Sequence, residues 1–408
     1  MAAKGTKSTA LWVLRRLRQA GHEALLAGGC VRDMLLGRKC SDYDLATSAE
    51  PDEVRKLFKR VLMIGAKFGV VMVIHNHRQV EVTTFRSDTS YSDGRRPDGV
   101  SFTTAEEDAQ RRDFTINGMF YDPADDKVID YVDGGKDLDR KIIRTIGSPD
   151  RRFAEDYLRM IRAVRFAVRL GFAIDSATAR AIEKYAPKIS TISGERICDE
   201  LSKMLSERSA GLAMETLDRV GLAPSVLGEL FEPEDLWARA VLRVQAVSSH
   251  GDMVLTMAAL LGELTPNVIS RIIRRWGASN ELKNALRWLV GNLGRWREAA
   301  DMQLCDFKRL MASEHFARLL ILWRFEEQTA SGGRKLCKRI SARAKTIPPE
   351  QIAPKPMVSG ADLMTMGLSE SPLLGRIASD LYDAQLNEEF SSRRQALAAA
   401  GKLIAQSE

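Results

Sequence analysis

The spacing of apolar residues changes character near Ala154, and that change sets what this chain can fold into. Before it, short runs such as Val61-Leu62-Met63-Ile64, Val70 to His75 and Val80 to Phe85 are rich in β-branched residues and read as strands. Residues 8 to 20, with Leu11, Val13, Leu14 and Leu17 on one side, and Asp52 to Phe58 carry helical spacing between them. After it, Phe153 to Leu170, Asp175 to Tyr185, Ser193 to Ser206 and Ala210 to Val220 repeat apolar residues every three to four positions, and the pattern runs on through Asp306 to Gln328. The expected fold class is α+β: a head built on a small mixed sheet, then an all-helical remainder. A chain of 408 residues is long enough for two to four domains with real cores.

The chemistry lies in the head. Asp42 and Asp44 stand one residue apart. In a strand, residues i and i+2 point to the same face, so the two carboxylates converge on one cation. Mg2+ takes one or two carboxylates together with substrate phosphates, and Mn2+ accepts similar donors. Upstream, Gly28-Gly29 lets backbone approach a phosphate closely, and Arg32 supplies a fork for its oxygens. These pieces describe a nucleoside triphosphate held over a metal, with Asp42 and Asp44 as catalytic and metal-binding residues. Alone, an Asp-x-Asp is most often a solvated turn and a Gly-Gly an ordinary one. The order of Gly-Gly, Arg32, Met34-Leu35-Leu36-Gly37 and the acid pair carries the reading. A third acid, Glu81, sits in the alternating run Gln79 to Phe85. It either supports the site or is an exposed acid on an edge strand.

With these residues in view, Gly28 to Asp44 resembles the first motif of the nucleotidyltransferase superfamily, in the form used by class II tRNA nucleotidyltransferases and bacterial poly(A) polymerases. Arg111-Arg112-Asp113-Phe114-Thr115-Ile116-Asn117 resembles the family's ribose-reading motif. Glu155-Asp156-Tyr157-Leu158-Arg159, continuing to Arg162, Arg165 and Phe166, resembles its base-selecting helix. The likeness covers residues 20 to about 205 and returns at Gly360 to Leu363, Gly367 and Pro372 to Ile377. It implies a nucleotidyltransferase head over 1–138, a helical neck over 139–215, a helical body over 216–340 and a tRNA-binding tail over 341–408. Gly28, Gly29 and Arg32 would hold the triphosphate. Asp113 and Asn117, four residues apart, share a face, and with Arg112 would read the ribose. Asp156, Arg159, Arg162 and Arg165 recur every three residues as an oblique ridge on one helix. In the family the equivalent residues act as an amino-acid template for C or A, while Arg162 and Arg165 would bind phosphate or brace the helix. The plain alternative is a solvated face with an ion pair worth a few tenths of a kcal/mol.

The resemblance implies an enzyme that uses ATP, CTP or both to add the terminal A, CC or the whole CCA to the 3′ end of tRNA, gripping the outer corner of that RNA with its tail. A poly(A) polymerase and a non-catalytic RNA-binding relative remain open beside it. Within the polar stretch 87–110, Arg96 matches a family basic residue, but Asp98 stands where a second is expected. That departure bears on the full C-and-A repertoire. Lys and Arg number 61 against 54 Asp and Glu, a net charge of +7, which favours a polyanionic partner. Five cysteines with no Cys-x-x-Cys pair indicate neither a disulfide frame nor a zinc site and fit a reducing cytoplasm. Met1 to Arg18 lacks the apolar core of a leader, and no stretch reaches membrane-spanning length. The histidines show no metal-ligand spacing, so the phosphohydrolase module attached to some relatives is not expected. The six tryptophans are expected in the core.

Overall fold

The computed structural model describes residues 3–4, 6–40, 42–88 and 99–406. The chain forms two compact units. One holds Met1–Val241 with Ile272–Ala278, the other Leu242–Arg271 with Ser279–Glu408.

The first unit begins with the head. In chain order its elements are β1 (Ala3–Lys4), α1 (Lys7–Gln19), β2 (Ala24–Ala27), α2 (Gly29–Leu35), β3 (Asp44–Thr47), α3 (Pro51–Leu57), β4 (Val61–Leu62), β5 (Val70–His75) and β6 (Arg78–Thr84). Then come β7 (Arg86–Asp88), β8 (Val100–Phe102), α4 (Ala105–Gln110), β9 (Phe120–Asp122), β10 (Lys127–Ile129) and α5 (Gly134–Arg140). Among the described residues the main sheet runs β10-β9-β2-β3-β6-β5-β4, with β1 beside β6. It is mixed: β3 lies parallel to β6, and β2 antiparallel to β3. Alternation then sorts its side chains. Leu25, Ala27 and Ala46 face one way and join Phe85, Ala105, Ala109 and Phe120 in a core under α4. Leu26, Leu45, Val71 and Val82 face the other way, where α1 packs on β2, β3 and β6 and buries Val13, Leu14 and Leu17.

Two expectations change here. Asp42 and Asp44 were expected together in a strand, but β3 begins at Asp44. Its antiparallel partner β2 ends at Ala27, opposite Asp44. The β2–β3 ladder stops at that pair, short of Asp42. The polar composition of 87–110 reads as loop, yet its described residues, 87–88 and 99–110, include strand and helix. Arg86–Asp88 and Val100–Phe102 pair antiparallel, and Thr104 caps α4 by accepting from the Glu107 amide. Arg96 and Asp98 lie outside the described residues.

The rest of this unit is helical: α6 (Pro149–Glu155), α7 (Leu158–Leu170), α8 (Ser176–Tyr185), α9 (Gly194–Leu205) and shorter pieces beyond. The single helix expected over Phe153 to Leu170 is broken at Asp156. That residue is extended, with φ −157° and ψ 103°. Its carboxylate accepts from the Leu158 amide at 3.1 Å, satisfying a donor that a helix start leaves bare.

The second unit is wholly helical among its described residues. Trp323 is fully buried, and its Nε1 donates to the carbonyl of Asn292 at 3.0 Å. Helices Gly360–Thr365, Pro372–Leu386 and Arg393–Ala405 close around Val358, Leu363, Ile377, Leu381 and Ala396. Trp237, Trp276 and Trp296 are also buried, as expected of core anchors. Trp12 and Trp288 are half-buried, and Trp12 stacks on His75 with ring centroids 3.7 Å apart.

Candidate active site

A cavity of about 550 Å³ lies against the head sheet. The sheet side supplies Gly28, Gly29, Asp44 and Glu81, and the other wall is α7 with Arg159, Arg162, Arg165 and Phe166. Arg32, Arg112, Asp113, Asn117 and Asp156 complete the lining. The structure thus brings the residues singled out in sequence to one cavity, except Asp42, which stands half-buried just ahead of β3.

Strand register explains the acidic side. Leu45 pairs with Val82 in the parallel β3–β6 ladder, so Asp44 and Glu81 stand one position earlier on neighbouring strands. Both fall on the face that carries Ala46. Burial raises the Glu81 carboxyl above its ordinary value, and the charge of Asp42 pushes it further up. Three acids therefore share one region of negative potential, which a divalent cation would relieve. The described residues hold no group of three or more His, Cys, Asp or Glu arranged for a metal. A hard cation here fits the Asp42–Asp44 pair with phosphate and water completing its shell. At the end of β2 the chain turns at Gly28, φ +71°, where an added Cβ would sit 2.9 Å from Nη1 of Arg112. Only glycine tolerates both demands.

The far wall is a chain of charge-assisted hydrogen bonds. Asp113 accepts from Arg162 Nε at 2.9 Å and Nη2 at 2.6 Å, from the Phe114 amide at 2.8 Å and from Asn117 Nδ2 at 3.2 Å. Burial works against its charge, yet Arg162 and Asn117 outweigh it and hold the Asp113 carboxyl down to about 2. Asn117 Oδ1 in turn accepts from Arg32 Nη1 at 2.7 Å, and Arg32 Nε donates to Asp33 at 2.8 Å. Arg32 is only 3 % exposed, so it is fixed before any phosphate arrives. The Phe166 ring lies beneath Arg32, Arg162 and Arg165 at 5.4, 5.3 and 4.3 Å.

The expected ridge from Asp156 to Arg165 is corrected in one respect. Asp156 precedes the helix and is held by Arg196 in a two-pronged contact, Nη2 to Oδ2 at 2.7 Å and Nη1 to Oδ1 at 3.2 Å. Arg159 turns back to Glu155 at 2.6 Å and to the Arg152 carbonyl at 2.8 Å. Arg162 and Arg165 continue along α7 and meet Glu200 at 3.5 and 2.6 Å.

Asp108, Arg196 and Glu200 were not singled out from the sequence. Asp108 is fully buried and receives Arg111 at 2.8 Å and Arg112 at 2.9 Å. Burial alone would raise its pKa, but the two guanidiniums hold it below the ordinary carboxylate value. Its position three and four residues before that arginine pair was a signal within reach. Arg196 and Glu200 share a face of α9 at i and i+4, yet nothing local points them at a motif some forty residues earlier.

The chain is similar to known proteins. Residues 24–144 match the family model described as the poly A polymerase head domain, and residues 171–232 the one described as the probable RNA and SrmB-binding site of polymerase A. The CCA-adding enzyme of Bacillus subtilis is 36% identical over 311 residues, 76% of this chain and 78% of that protein. That of Levilactobacillus brevis is 34% identical over 400 residues, 95% and 96% of the two chains. The chain belongs to the CCA-adding enzyme family. The crystal structure of the Bacillus stearothermophilus CCA-adding enzyme in complex with CTP is 28% identical, with a TM-score of 0.79 over 98% of this chain and 96% of that one. The α+β class, with a mixed-sheet head and a helical remainder, is therefore that of the CCA-adding enzymes.

Proposed function

We propose that the protein adds nucleotides, without a nucleic-acid template, to the 3′ end of tRNA, building the terminal A, CC or the whole CCA from ATP and CTP. The observation that carries this reading is one cavity with an acidic sheet face opposite a guanidinium wall, in a chain whose relatives are named for CCA addition. In the reaction an RNA 3′ oxygen attacks the α-phosphorus, the bond to pyrophosphate breaks, and the hydroxyl proton leaves to solvent. Asp42 and Asp44 would hold Mg2+, which when bound lowers the pKa of the attacking hydroxyl and offsets charge on the leaving group. The Gly28-Gly29 backbone and the immobilised Arg32 border the triphosphate.

Asp113 and Asn117 face the ribose, already locked together by their own hydrogen bond. Asp156 keeps accepting capacity on its two oxygens and meets the amino group that cytosine and adenine share. Arg159 keeps donors for the neighbouring ring acceptor. Guanine and uracil present a carbonyl where that amino group would be, which leaves the Asp156 carboxylate facing an acceptor. We assign the head to 1–138, the neck to 139–215, the body to 216–340 and the tail to 341–408, with the tail meeting the tRNA. No described helix is long and apolar enough to cross a membrane.

The test uses three transcripts of one tRNA, ending at the discriminator base, after one C and after CC, each with Mg2+ and CTP, ATP or both. Growth that stops at CCA, or at one defined step of it, supports the reading and fixes the enzyme's share. Long A ladders on every RNA would make it a poly(A) polymerase. Absence of extension, with RNA binding that survives Asp42→Ala, Asp44→Ala, would make it a binding protein.

A further inference from the structure

The guanidinium wall accounts for the nucleotide side of the cavity. The opposite rim has its own composition. It is built on the turn from Gly65 to Gly69, with φ of +89° and +75° at its two glycines. Between them the short 3-10 segment Ala66–Phe68 carries Lys67 into solvent. A Cβ on Gly69 would lie 3.2 Å from the Phe102 ring, so that ring rests directly on the turn. Phe102 sits opposite Arg86 in the β7–β8 pair, and Arg86, which lines the cavity, donates to the Phe68 carbonyl. Val70, the residue after the turn, lines the cavity too. The rim is therefore continuous with the site. It is also unusually apolar for a surface: Ile64 is 72% exposed, Phe102 40%, and Lys67 Nζ stands 5.0 Å from the Phe68 ring centroid.

Resting on the proposed reaction, we infer that this rim, with Phe102 and Ile64 as apolar contacts and Lys67 as the cation, receives the last nucleotides of the RNA primer. Displacement at phosphorus is in line, so the attacking oxygen enters from the side away from the leaving pyrophosphate. Glu81, Val70 and Arg86 line the cavity together with Asp44, and through Val70 and Arg86 that lining joins this rim. A primer brings bases, which stack on exposed rings, and phosphates, which pair with Lys67. A growing end of changing sequence calls for such contacts, because stacking and phosphate pairing do not read base edges. A second copy of this chain is the competing occupant, but β4, the strand at this edge, offers only Val61–Leu62 for pairing.

The experiment measures steady-state AMP addition to a tRNA transcript ending in CC, varying tRNA and ATP separately. Phe102→Leu keeps an apolar side chain against Gly69 but removes the stacking face. It is expected to raise the KM for tRNA roughly tenfold, with the KM for ATP and the melting temperature unchanged. Phe102→Trp restores it. Lys67→Ala lowers the salt dependence of tRNA binding by about one unit of log–log slope. Unchanged tRNA KM in both Phe102→Leu and Lys67→Ala overturns the inference. So does a wild-type dimer in sedimentation that Ile64→Ser dissociates. A wild-type protein that extends no tRNA sinks the proposed function itself, whereas active wild type with unaffected variants sinks only the rim.

Discussion

Asp108 and Asp113 show how single carboxylates set this site. Asp108 has no exposed surface and anchors two guanidiniums at once. Asp108→Asn would leave Arg111 and Arg112 short of a counter-charge. We expect a loss of roughly 3 kcal/mol in urea unfolding, together with a higher KM for ATP as Arg112 moves off Gly28. Asp113 titrates at about 2, against an ordinary 3.8. A depressed carboxylate adds stability above its unfolded pKa and loses it as pH falls through the folded one. Wild type should therefore lose roughly 2 kcal/mol between about pH 4 and pH 2 that Asp113→Asn does not lose. Chemical denaturation at stepped pH measures the difference. Asp42→Asn should act oppositely: nucleotide addition falls by about three orders of magnitude or more, while stability holds or rises because the Asp42 charge that pushes Glu81 up is removed. Melting curves beside single-turnover rates separate the two effects.

At the scale of elements, the site depends on where helices and strands stop. β2 ends at Ala27 opposite Asp44, where β3 begins, which delivers the acid and the Gly28 turn to one edge. Gly28→Ala places a Cβ 2.9 Å from Arg112 Nη1 at a positive φ. A cost of about 1–2 kcal/mol and weakened ATP binding follow, readable by calorimetry. The break between α6 and α7 frees Asp156 from the helix and gives it to Arg196. Arg196 and Glu200 depend on the seating of α9, whose first residue, Gly194, packs on the Arg275 carbonyl. A Cβ there would lie 1.7 Å from that oxygen. Backbone cannot give way as a side chain can, so Gly194→Ala should cost about 3 kcal/mol and loosen the Asp156 and Arg165 contacts together. Thermal melting checks the first effect, and discrimination between CTP and UTP the second.

At the scale of the molecule, the proposed reading has the head's chemistry and the helical remainder share the meeting of a large polyanion. The excess of 61 basic over 54 acidic residues supplies long-range attraction without sequence preference. Binding of tRNA should weaken at least tenfold between about 50 and 200 mM salt. Filter binding at several salt concentrations checks this. The specific part of recognition would then reside in the few side chains of the cavity and its rim.

The sequence by itself determined the fold class and singled out many of the side chains that line the cavity. Strand-like runs interleaved with helices before residue 154, and periodicity of three to four alone after it, follow from how strands and helices project side chains, which is a local property. The order of Gly28-Gly29, Asp42 and Asp44, Asp113 and Asn117, Asp156 and Arg159 was legible for the same reason, since each motif spans only a few residues. Tertiary structure decided who holds whom. The sequence could not say that Asp42 falls outside β3, because that depends on where the partner strand β2 ends. Nor could it say that Asp156 leaves its helix for Arg196, or that Glu200 sits beneath Arg165. Those pairings join residues 35 to 40 positions apart. They exist because burying a charge is costly unless an opposite charge is packed against it. Only the folded chain determines which charges are buried side by side.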